Sequence, residues 1–118
     1  MFTEISFEGI GQKTSATFLQ SGLTKADNGK PVKISADKTV ELCADGDKIA
    51  GIIDSVEPGA VSVKLDGFFT LPYTGTAPGL GYEKLSGNGS GGVKVDASGM
   101  DVRVVSVNTT SSEVTFLL

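Results

Sequence analysis

Histidine and tryptophan are both absent from this 118-residue chain, which holds a single cysteine, Cys43. Without histidine, the commonest general base near neutral pH is missing. Serine and threonine are plentiful, but no histidine is present to activate one, and no lysine sits in a recognisable catalytic context. One cysteine without histidine cannot assemble an ordinary zinc site. No catalytic residue, metal ligand or cofactor-binding residue is therefore expected, and the chain is read as a non-enzyme. Cys43 cannot form an internal disulfide. It falls in the apolar run Val40-Glu41-Leu42-Cys43-Ala44 and reads as a buried small hydrophobe. Such cysteine usage fits synthesis in a reducing cytoplasm.

Clustered positive charge is also missing. Ten Lys and Arg stand against 14 Asp and Glu, a net charge of −4, and both signs are scattered. Nucleic acid and anionic membrane surfaces both need clustered cations, so neither is expected as a partner. No apolar run reaches the length of a transmembrane helix. The opening Met1-Phe2-Thr3-Glu4-Ile5 has no basic stretch followed by an apolar core, so no secretory signal is expected. Asn88-Gly89-Ser90 and Asn108-Thr109-Thr110 then read as turns rather than glycan acceptors.

What the chain has in abundance is glycine, 16 residues, and short stretches of alternating polarity. Val32 and Ile34 flank Lys33, and Val40 and Leu42 flank Glu41. Val61, Val63 and Leu65 alternate with Ser62 and Lys64. The same pattern recurs at Val93/Val95, Val102/Val104 and Val114/Phe116. Period-two alternation places apolar side chains on one face of a strand. Turn chemistry separates the runs at Asp27-Asn28-Gly29, Asp45-Gly46-Asp47, Glu57-Pro58-Gly59, Ala77-Pro78-Gly79, Gly87-Asn88-Gly89 and Ala97-Ser98-Gly99. The expected fold is all-β: a compact, Gly-rich barrel or sandwich. A short helix is allowed around residues 74–80.

Three motifs resemble ligand loops and fail on spacing. Gly9-Ile10-Gly11-Gln12-Lys13-Thr14 lacks the Gly-Lys pair of a phosphate loop. Gly79-Leu80-Gly81 lacks the third glycine of a dinucleotide fingerprint. Asp45-Gly46-Asp47 lacks the ligand order and final Glu of an EF-hand.

A weak internal duplication is visible over residues 29–118, with an offset near fifty residues. Residues 29–34 match 81–85, residues 40–42 match 93–95, residues 47–53 match 101–107, and residues 61–65 match 114–118. A pseudo-twofold barrel is the simplest structural reading, and chance likeness between β segments is the alternative. Residues 1–25 lie outside the match. They read as an N-terminal arm or a capping hairpin, ahead of a barrel domain over residues 26–118. Between the two copies, residues 67–82 hold four of the eight aromatic residues and two of the four prolines. They read as a connector with one face buried and one free for contact. Phe68, Leu71, Tyr73 and Tyr82 are therefore candidate interface residues, together with Phe2, Ile5 and Phe7 of the arm.

Gly29-Lys30-Pro31-Val32-Lys33-Ile34, Thr39-Val40-Glu41-Leu42, Ala44-Asp45-Gly46-Asp47-Lys48-Ile49-Ala50-Gly51-Ile52-Ile53 and Val61-Ser62-Val63-Lys64-Leu65-Asp66-Gly67 resemble the small capsid decoration, or cement, proteins of tailed bacteriophages. The resemblance covers residues 28–118. It implies a compact β-barrel on the outer capsid surface of the virion. The implied partner is the major capsid protein, with a homo-oligomer, a trimer foremost, reinforcing the shell. Two other readings stay open. One is a different phage part: a tail-tube, head-completion or fibre-associated β domain. The other is a small-ligand or carbohydrate-binding barrel, for which the lack of Trp is unfavourable.

Overall fold

A computed structural model describes residues 14–118. Ten strands follow in order: β1 Ser15–Leu19, β2 Pro31–Ala36, β3 Thr39–Leu42, β4 Gly51–Glu57, β5 Ala60–Lys64, β6 Phe68–Thr74, β7 Gly81–Gly87, β8 Val93–Val95, β9 Met100–Asn108 and β10 Glu113–Leu117. A three-residue 3-10 turn at Lys25–Asp27 is the one helical element of the described residues. Residues 74–80 contain no helix, being the end of β6 and an irregular loop.

The strands close into two barrels of five, in the orders β1-β3-β2-β4-β5 and β10-β6-β8-β7-β9. Both follow one plan. The first strand of each set pairs in parallel with the third and antiparallel with the fifth. The second pairs antiparallel with the third and the fourth, and the fourth with the fifth. One irregularity repeats as well. Between Ile53 and Ser55 the register of β4 slips against β5, and between Val104 and Ser106 that of β9 slips against β10. An extra residue at such a bulge bends the strand, and a five-stranded wall needs sharp bending to close.

The duplication is therefore real at the level of architecture, and its extent differs from the sequence match. Each copy closes its own barrel instead of supplying half of a shared one. The reason is the first strand. β1 falls within residues 1–25, read as arm or hairpin, yet it pairs with β5 from Ser15↔Lys64 to Leu19↔Ala60 and completes the first wall. β6 falls within the segment read as a connector, yet it pairs with β10 from Phe68↔Leu117 to Pro72↔Glu113 and completes the second. With five strands per copy, neither needs the other for closure.

Side-chain alternation fills both interiors. In the first barrel, Val32, Val40, Ile53, Val56, Val61 and Val63 form one buried cluster. In the second, Phe69, Leu71, Tyr73, Leu85, Val93, Val102, Val104, Val114 and Phe116 form another. The second cluster also takes in Cys43, Ile49 and Ile52 of the first barrel. Small barrels have interiors just wide enough for side chains, and these two clusters occupy them.

Glycine is required where backbone approaches backbone. A Cβ on Gly51 would lie 2.6 Å from the Lys64 carbonyl oxygen and 2.5 Å from Val63 Cγ1. A Cβ on Gly99 would lie 2.4 Å from the Leu85 carbonyl oxygen. Both sites are closures in which a methyl group has no room.

Candidate interaction surfaces

The barrels meet through the chain between β3 and β4. Lys33 Nζ reaches Asp47 Oδ2 at 2.7 Å and Glu41 Oε1 at 3.3 Å. Asp47 also accepts the Ala44 N–H at 2.8 Å, which shapes the turn at residues 44–47. The Lys33 ammonium first, and the Ala44 N–H second, hold the Asp47 carboxyl below the usual carboxylate range. This turn then pairs with the second barrel. The Gly46 N–H donates to the Gly87 carbonyl at 2.9 Å, and the Gly87 N–H donates to the Asp47 carbonyl at 2.8 Å. Lys94 pairs with Asp45 at 2.9 Å across the same seam. The Asp-Gly-Asp motif is thus a structural clasp, with its two carboxylates committed to two different lysines.

Cys43 sits under this clasp and is buried. Burial, and then the nearby Asp47 charge, push its thiol up to about 12 from 9.0. A raised folded-state value stabilises the fold fully below the unfolded thiol's range, and that contribution is lost as pH climbs toward 12. The urea midpoint of the wild-type protein is expected to fall between pH 9 and pH 12 more than that of Cys43→Ala. At neutral pH, thiol-specific reagents are expected to modify Cys43 only as fast as the protein opens. Equal pH slopes for the two proteins, or immediate modification, would contradict this placement.

The candidate interface residues separate into three groups. Phe2, Ile5 and Phe7 lie outside the described residues. Leu71 and Tyr73 point into the second barrel and are buried, because they share the inward face of β6 with Phe69. As core residues they are not offered to a partner, which corrects the sequence expectation. Phe68 and Tyr82 point outward: Phe68 is half-buried and Tyr82 is exposed.

Strand register brings these two outward residues into one row. Tyr82 pairs with Arg103, Arg103 with Leu117, and Leu117 with Phe68, across β7, β9, β10 and β6. Arg103 is the sole arginine of the chain. Its guanidinium carbon lies 5.7 Å from the Tyr82 ring centroid, within range of a cation–π contact. Asp101, its neighbour on the same face, pairs instead with Lys84 at 3.1 Å. A shallow depression lined by Tyr82, Asp101, Val102, Arg103, Leu117 and Leu118 marks this face. Tyr and Arg beside aliphatic side chains are the residue types that anchor protein contacts.

A second apolar surface lies on the first barrel, where the β2–β3 hairpin turns. Ile34 and Leu19 are exposed there, and Thr17, Phe18, Leu19, Lys38 and Ala60 line an open, mostly apolar depression. Sequence reasoning missed it. Ile34 reads as a core position by alternation, and it does face the same side as buried Val40. It stands at the rim, where the barrel wall ends.

Among the described residues, no group of three or more His, Cys, Asp or Glu side chains could hold a metal ion. No protein-family model and no curated protein matches the chain.

Proposed function

We propose that this chain is a virion structural protein that binds the outer surface of a bacteriophage capsid and stabilises it. The observation that carries the reading is the contrast between filled interiors and apolar exteriors. Both barrels are packed with their own side chains, while large hydrophobic residues stand exposed at two separate outer surfaces. A rigid scaffold with contacts on its outside suits binding to other macromolecules rather than enclosing a small ligand. The likeness of residues 28–118 to decoration proteins gives that contact its object, the assembled shell of major capsid protein. Repetition over a symmetric lattice lets individually weak contacts sum. A net charge of −4 keeps free copies soluble before they attach.

The test is co-sedimentation of the purified protein with phage heads. Stoichiometric association with mature heads, and none with unexpanded precursors, is the expected result. Recovery only in the non-virion fraction of a lysate would overturn the proposal. Immuno-electron microscopy separates the capsid surface from a tail or fibre location.

A further inference from the structure

The two barrels share one topology, yet they do not meet symmetrically. The first contributes the outward side of β2 and β4. Ile53 faces its own core with Val63, so its neighbour Ile52 faces out, opposite Lys64. Ile52 is nevertheless buried, within the second barrel's cluster, and its pairing neighbour Pro31 is buried as well. The second barrel contributes the end at which Gly87, Val93 and Tyr73 are neighbours in the sheet. A Cβ on Gly87 would lie 2.5 Å from Cys43 Cβ, a measure of how closely the two surfaces approach. The internal contact is thus heterologous: one kind of surface on the first copy, a different kind on the second.

A heterologous contact between two like units leaves one surface of each kind unused. The shared pairing identifies both. Ile34 pairs with Val40 as Gly87 pairs with Val93, so the first-barrel counterpart of the covered end is the rim around Ile34. Leu19 joins that rim, because its partner Thr39 precedes Val40. The second-barrel counterpart of the covered face is the outward side of β7 and β9, which carries Tyr82 and Arg103. Leu80 and Val105 adjoin it, since Gly81 pairs with Val104.

These two leftover surfaces hold all five large hydrophobic residues exposed among the described residues. Leu19 is 56% and Ile34 59% exposed on the first barrel, and Leu80 is 72%, Tyr82 75% and Val105 40% exposed on the second.

We propose that the β7–β9 face of one chain docks on the Ile34–Leu19 rim of a second copy, repeating between chains the head-to-tail contact made within each chain. The repetition is one of surfaces and not of every atom. Residues 96–99 between β8 and β9 form a tighter link than residues 43–50 between β3 and β4, so Tyr82 and Arg103 take the place of the Cys43–Ile49 clasp. A head-to-tail contact makes a ring where its rotation closes and a filament where it does not. The inference goes beyond capsid binding: it draws on the same two exposed surfaces as that reading, assigns them to contact between copies, and does not depend on binding to a shell.

The experiment is sedimentation velocity on the full chain with two exposed-site variants, Ile34→Asp and Tyr82→Asp. Wild type is expected to sediment above one chain's mass, increasingly so with concentration. Each variant alone is expected to remain a single chain, with the wild-type circular dichroism spectrum. Mixed in equal amounts, the two are expected to give a 1:1 dimer and nothing larger, because each keeps the surface the other lacks. Arg103→Glu provides a second block of the β7–β9 face should Tyr82→Asp fail to fold. A wild-type single chain at every concentration overturns the proposal. So does assembly that survives both substitutions, or a mixture that stays monomeric, which is the behaviour of a two-fold contact. No phage head is involved, so the outcome is independent of co-sedimentation.

Discussion

Phe116→Ala is expected to lower the unfolding free energy by about 3–5 kcal/mol, the usual range for emptying a buried phenylalanine site. Phe116 is the largest fully buried side chain of the described residues. Its ring stands 6.4 Å from that of Phe69 at a tilt of 49°, the spacing of a favourable aromatic pair. A five-stranded wall, paired all round, has little freedom to collapse into the space left behind, so the cavity cost is kept. Against a typical total of about 5–15 kcal/mol, that loss removes a large share of the stability. The melting temperature is expected to fall by roughly 10–30 °C for a chain of this size. Thermal melts followed by circular dichroism, with denaturant titration to verify an unchanged slope, provide the check. A shift of only a few degrees would mean that Phe116 is not in the core of the second barrel. The cluster containing Phe116 also contains Ile49, Ile52 and Cys43. The damage is therefore expected to reach the seam between barrels, and hydrogen exchange at the Gly46 and Gly87 amides should quicken along with the second-barrel core.

The all-β class, most strand positions and the buried cysteine were legible in the sequence, because period-two alternation and Gly-rich turns are local signals. Two of the four repeat matches fall in the register that the pairing shows. Residues 40–42 correspond to 93–95, and residues 61–65 to 114–118. The other two are displaced. By their pairing with β3 and β8, Val32 answers to Leu85 and Ile34 to Gly87, one to two steps from the sequence match. By their pairing with β5 and β10, Ile52 answers to Arg103, three steps away. The β4–β9 displacement follows from the link before the strand, residues 43–50 in one copy and 96–99 in the other, and sequence similarity has no means of placing a gap inside alternating Val and Ser.

Closure was not legible at all. β1 and β6 have the least alike sequences, SATFL and FFTLPYT, so the match passed over both, and without them neither copy has enough strands to close. That omission explains the errors at the candidate site. With β6 taken as a connector, Leu71 and Tyr73 looked available, although alternation from Phe69 already placed the three on one face. The covering of Pro31 and Ile52 was illegible for a different reason. It depends on where the second barrel sits, and no residue near them in sequence reports that.

Gly87→Ala is the substitution that tests the seam most directly. Its methyl group would lie 2.5 Å from Cys43 Cβ and 3.3 Å from Cys43 Sγ. The Cβ of Cys43 is fixed to the main chain, so no change of rotamer relieves the contact, and one backbone must move. The same backbone carries both hydrogen bonds of the clasp, from Gly46 N–H to Gly87 O and from Gly87 N–H to Asp47 O. Overpacking at a close contact costs about 1–3 kcal/mol, and loss of two hydrogen bonds adds about 1–3 kcal/mol more. Relief should come from removing the opposing Cβ. Cys43→Gly carries a cost of its own, but in the double variant the contact no longer exists. A double-mutant cycle by urea denaturation is therefore expected to show the pair less destabilised than the sum of the single variants, by about 1 kcal/mol or more. Simple additivity would mean that Gly87 and Cys43 do not touch, and the head-to-tail seam would lose its tightest point.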